Sequence, residues 1–123
     1  MSTPDFDVSR LSAAGLPVSR YEAGAKIFVA DDPGASLFIV LSGKVKIISA
    51  GVVLETIGPD GIFGEMAVID GSPRSANAIA AEPTEIAAVD RRAFRALITA
   101  YPDFALEVMQ ILARRLRRTT ESL

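Results

Sequence analysis

The chain has 123 residues, half of them hydrophobic and 23% charged, with a net charge of −2 and neither Cys nor His. That length holds one domain around one core, and the missing Cys and His remove disulfides, thiolate nucleophiles, zinc sites and histidine acid–base chemistry. Residues 1–90 carry six basic and twelve acidic side chains, and residues 91–123 carry seven arginines against Asp103, Glu107 and Glu121, so charge is uneven without a strong nucleic-acid footprint.

Residues 1–20 have no basic start and no apolar core, so no signal peptide is read, and no apolar run is long enough to span a membrane. A cytoplasmic location is the expectation. Residues 5–14 form a short helix candidate. From Tyr21 to Val89, short apolar segments alternate with turn signals. Ala25–Ala30 alternates weakly before the turn Asp31-Asp32-Pro33-Gly34, and Leu37–Leu41 is a buried run before Ser42-Gly43. Lys44-Val45-Lys46-Ile47-Ile48 has period two, with Val45 and Ile47 inward and Lys44 and Lys46 in water. Val52–Ile57 follows the turn at Ala50-Gly51, and Ala76–Ala81 and Thr84–Val89 are two more strands around Glu82-Pro83. Strands of this length and spacing predict a barrel or jelly-roll arrangement.

At Asp90 the period changes. Asp90 is a good N-cap for a helix with Phe94, Leu97 and Ile98 on one face, and Pro102 ends it and opens the next. In that second helix Phe104, Val108, Ile111, Leu112 and Leu116 recur at helical spacing as one apolar stripe.

Between the strands lies Gly61-Ile-Phe-Gly-Glu-Met-Ala-Val-Ile-Asp-Gly-Ser-Pro-Arg-Ser-Ala76. A glycine here lets the backbone approach a ligand closely, a short helical turn from Glu65 presents free N–H groups, and Arg74 offers a planar cationic fork. That composition suits a sugar phosphate. Taken alone, Glu65 is an ordinary surface or salt-bridged carboxylate, and Arg74 an ordinary arginine after a proline.

The order Phe63, Gly64, Glu65, Met66, Ala67, Pro73, Arg74, Ser75, Ala76 resembles the phosphate-binding cassette of the cyclic nucleotide-binding domain family. The resemblance extends from about Tyr21 to about Arg118, with Asn77 standing where the family has Thr or Ser. It implies a mainly β chain with flanking helices. Its parts would be an N-terminal helical segment at 1–20, an antiparallel β-roll at 21–89 holding the cassette at 61–76, and two C-terminal helices at 90–123.

The resemblance also implies roles. Glu65 would accept a hydrogen bond from a ribose 2′-hydroxyl, and Arg74 would meet the cyclic phosphate with Gly64, Ala67, Ser75 and Ala76. Ile47, Val52, Phe63 and Met66 are candidates for walls around the purine, Ile47 first. For Ala113-Arg-Arg-Leu-Arg-Arg118 three readings stay open: a solvated helix end, an arginine stacked on the purine (Arg115, with Arg114 second), or contact with an acidic partner, a membrane surface or DNA. The expected function is a receptor for cyclic AMP, with cyclic GMP second, that moves its C-terminal helix and catalyses nothing. It would need no cofactor and no direct nucleic-acid contact, and its effector or output domain would be another protein or segment. A ligand-free interaction module of the same fold is the alternative.

Overall fold

The computed structural model of the protein describes residues 15–121, with side chains through Arg118; the helix expected at residues 5–14 lies outside the described residues. The strands are β1 (Val18–Tyr21), β2 (Lys26–Phe28), β3 (Ser36–Ser42), β4 (Val45–Ser49), β5 (Val52–Ile57), β6 (Ile62–Phe63), β7 (Asn77–Ala80) and β8 (Thr84–Asp90). One helical turn, α1 (Glu65–Asp70), separates β6 from β7, and α2 (Arg91–Ala100) and α3 (Pro102–Glu121) follow the last strand.

The strands pair antiparallel in two four-stranded sheets, ordered β1-β8-β3-β6 and β2-β7-β4-β5. The roll expected from the sequence is present, but the sheets do not close into a barrel. Side-chain alternation along β3 explains why its sequence is apolar throughout. Leu37 and Ile39 join a cluster with Val89, Leu97, Phe104, Val108 and Ile111, whereas Val40 and Phe38 join a second cluster with Val45, Ile57, Phe63 and Ile86. The first sheet is therefore covered by helices on one face and by the second sheet on the other, which requires apolar residues at both parities.

In β4, Val45 is buried and Lys46 exposed, as period two predicts. A register shift follows. Ile47 pairs with Glu55 but Ile48 pairs with Val53, so β5 gains an extra residue and reorients its side chains around Leu54.

Asp90 caps α2 by accepting a hydrogen bond from the Ala93 amide at 2.8 Å, and Pro102 begins α3 where its missing N–H costs nothing. On α3 the apolar stripe divides. Phe104, Val108 and Ile111 are buried, but Leu116 is 69% exposed, so the stripe leaves the core in its last turns. No single helix among the described residues is long and apolar enough to cross a membrane.

Candidate ligand-binding site

A cavity of about 710 Å³ opens between the second sheet, the cassette loop and α3, within the size range of small-molecule sites. Its walls include Ile47, Gly64, Glu65, Met66, Ala67, Arg74, Ser75, Ala76 and Arg115. The residues singled out from the sequence thus share one space. Phe63 lines it too. Val52 does not: it pairs with Ser49 at the hairpin end and is exposed, because the register shift leaves Leu54 and Glu55, two and three residues later, as the β5 walls.

Gly64 has φ 75°, a left-handed conformation that glycine adopts without steric cost, and it turns β6 directly into α1. No side chain caps α1 at Gly64. The loop after α1 is held by its own acid: the Asp70 carboxylate accepts from the Ser72 hydroxyl at 2.5 Å and the Ser72 amide at 2.9 Å. Those two bonds, the hydroxyl's first, hold the Asp70 pKa below the usual carboxylate range.

Arg74 is 7% exposed. It donates through Nη1 to the Gly64 carbonyl at 3.0 Å and through Nη2 to the Ser36 carbonyl at 2.9 Å. Its guanidinium lies 4.3 Å from the Phe28 ring centroid and 5.3 Å from that of Phe38, a cation–π setting. Burial pushes its pKa down, and the charge of Asp32 pushes it part of the way back. Neutral carbonyls and ring faces hold this cation in place while leaving it able to gain from an anion.

Two glycines make room for it. A Cβ on Gly64 would lie 2.7 Å from Arg74 Nη1, and a Cβ on Gly34 would lie 2.5 Å from Arg74 Nε and 2.6 Å from Cζ. Gly34 reads in sequence only as part of a turn. Its role is space, and the partner that needs the space is forty residues away.

Glu65 is 3% exposed and forms an ion pair with Arg115 Nη1 from α3. Arg115 also donates through Nε to Glu55 Oε1 at 3.0 Å and through Nη2 to the Ile62 carbonyl at 3.1 Å, while Arg118 Nη1 lies 3.5 Å from Glu55 Oε1. Arg115 therefore belongs to the pocket wall, with its guanidinium set between two carboxylates. Arg114 is exposed and does not line the cavity. Sequence reasoning missed Leu54, Glu55, Leu112, Leu116 and Arg118, which complete the wall between β5 and α3.

Asn77 also has a structural account. Its Oδ1 accepts from the Ala30 amide at 2.8 Å, tying the chain after β2 to the start of β7, so the amide side chain is used in building the roll. Arg91, first residue of α2, donates to the Val68 and Ile69 carbonyls at 3.2 and 3.3 Å, linking the end of α1 to the C-terminal helices.

The family model described as "Cyclic nucleotide-binding domain" matches residues 18–101. The chain belongs to the cyclic nucleotide-binding domain family. Among relatives, a CRP-like cAMP-activated global transcriptional regulator of Mycobacterium tuberculosis is 34% identical over 108 residues, covering 84% of this chain and 48% of the relative. A cyclic AMP receptor protein of Thermus thermophilus is 40% identical over 102 residues, covering 79% and 47%. The crystal structure of Thermus thermophilus catabolite activator protein superposes with a TM-score of 0.81 at 36% identity, covering 93% of this chain and 56% of that one. The chain thus spans about half the length of the curated relatives it matches. As a cyclic nucleotide-binding domain it has the family's roll, with the cassette residues gathered on one wall of the cavity.

Proposed function

We propose that this domain binds a cyclic purine nucleotide, cyclic AMP ahead of cyclic GMP, and that occupancy changes the position of α3. One observation carries the reading: among the described residues the only buried ionisable side chains are Glu65 and Arg74, and both line the same cavity. Burying charge is costly, and such groups concentrate where a ligand uses them. Arg74 would donate to the cyclic phosphodiester, whose single negative charge compensates the desolvated guanidinium. Gly64, Ala67, Ser75 and Ala76 would surround the phosphate, and Glu65 would accept from the ribose 2′-hydroxyl. Ile47, Met66, Leu54, Leu112 and Leu116 supply apolar surface for the base.

The lining holds Arg74, Arg115 and Arg118 against Glu55 and Glu65, one positive charge in excess, which a monoanionic ligand balances. The names of the M. tuberculosis and T. thermophilus relatives support cyclic AMP, and Ser75 is compatible with either nucleotide. Binding is the whole chemistry of the site, and the response passes from α1 through Arg91 to α2 and α3. The recipient of that signal is an effector protein or a segment beyond this domain.

Calorimetric titration with cyclic AMP and cyclic GMP side by side tests this. Saturable heat with cyclic AMP binding more tightly is expected. No heat with either at millimolar concentration overturns the reading and leaves a ligand-free interaction module.

A further inference from the structure

We propose that Glu55 on β5 is a positioning residue that anchors α3 across the cavity and thereby sets the residence time of the nucleotide; the residence-time part rests on the function proposed above. Arg115 reaches β5, β6 and α1 at once, through Glu55, the Ile62 carbonyl and Glu65. A ligand ribose that takes up part of the Glu65 carboxylate competes only for the Nη1 contact. The Nε bond to Glu55 and the Nη2 bond to Ile62 use other donors of the same rigid fork and persist when the site is filled.

Glu55 also draws Arg118, one helical turn further along α3, to the same carboxylate oxygen. One acidic side chain on a strand thus binds two successive turns of the helix. Leu54 beside it and Leu112 and Leu116 on the helix close the apolar part of the wall. Leu116 is too exposed to hold the helix end by burial, so in these last turns charge pairing supplies the attachment. The side chains of Glu55 and Arg115 are 21% and 26% exposed, which places the pair between the weak surface class and the fully desolvated class. Because the anchor is made without ligand and keeps α3 over the site once it is filled, its loss shows in dissociation.

Glu55→Gln, which keeps the shape and removes the charge, and Glu55→Asp, which keeps the charge, are compared with the parent protein. In the nucleotide-free proteins, hydrogen exchange over residues 102–118 should rise in Glu55→Gln, with β3 and β8 unchanged, and return toward the parent level in Glu55→Asp. With labelled cyclic AMP, Glu55→Gln should dissociate roughly three- to thirty-fold faster while association stays within about twofold. Unchanged exchange together with unchanged dissociation overturns the proposal, as does a loss confined to the association rate. If the parent protein binds no cyclic nucleotide, the proposed function fails but the exchange comparison still decides the anchor: no rise in Glu55→Gln overturns it.

Discussion

Arg74 shows how a buried charge is held by neutral partners. Two carbonyls fix the fork, two phenyl rings flank it, and Gly34 and Gly64 leave the volume it occupies. Arg74→Ala removes the charge and should weaken cyclic AMP binding by about 2–5 kcal/mol, measured by calorimetry. Gly34→Ala is the more discriminating substitution, because Arg74 stays present but is displaced. The new methyl sits on the guanidinium, so the bonds to Gly64 and Ser36 must lengthen or break, at about 1–3 kcal/mol of stability. Nucleotide affinity should fall with it, read by calorimetry and thermal unfolding; normal affinity in Gly34→Ala would show that the guanidinium position is not what the phosphate requires. The cassette was legible at this scale because its residues are neighbours in sequence. Gly34 and Glu55 were not, since each acts on an arginine forty or sixty residues away and nothing local marks it.

Among the elements, α1 is followed by a loop that its own last residue holds. Asp70 holds Ser72 at both hydroxyl and amide, which fixes the turn leading into Pro73 and Arg74. The folded-state pKa of Asp70 lies below its unfolded value, so the stabilisation is fully present above about pH 4 and is lost as pH falls through the folded pKa. Ser72→Ala should raise the Asp70 pKa toward the ordinary carboxylate range, as NMR titration of that carboxyl would show. An unmoved titration would mean that Ser72 does not hold this carboxylate. Strand β4 and the start of α2 were readable because Val45, Lys46 and Asp90 act through local rules of alternation and capping. The extra residue in β5 was not readable, since a bulge changes which of Val52, Leu54 and Glu55 faces the cavity without leaving a pattern of its own.

For the whole molecule, nucleotide binding as proposed should stabilise the fold, because the cavity has walls from both the roll and α3. Cyclic AMP at one hundred times its dissociation constant should add about 2.7 kcal/mol, a rise of about 10 °C in the melting temperature of a domain this long. Thermal unfolding with and without nucleotide checks it; no rise would mean that the native state binds no better than the unfolded chain. The two-layer roll was legible from the regular spacing of short strands, but its failure to close was not, because closure depends on edge pairing that no single strand encodes.

The apolar stripe of α3 ran in sequence to Leu116, yet it meets the core only as far as Leu112, since helical spacing shows which face is apolar and not where the opposing surface ends. On the function proposed above, this division decides where along the helix a response should appear. Its first half is fastened by Phe104, Val108 and Ile111, so a response to the cavity should leave the Pro102 end in place and fall on the turns after Leu112. From there to Glu121 is about 14 Å of helix. The buried half is the fixed end of the helix, and the exposed half, tied to Glu55 through Arg115 and Arg118, is the surface on which a partner would read the state of the cavity.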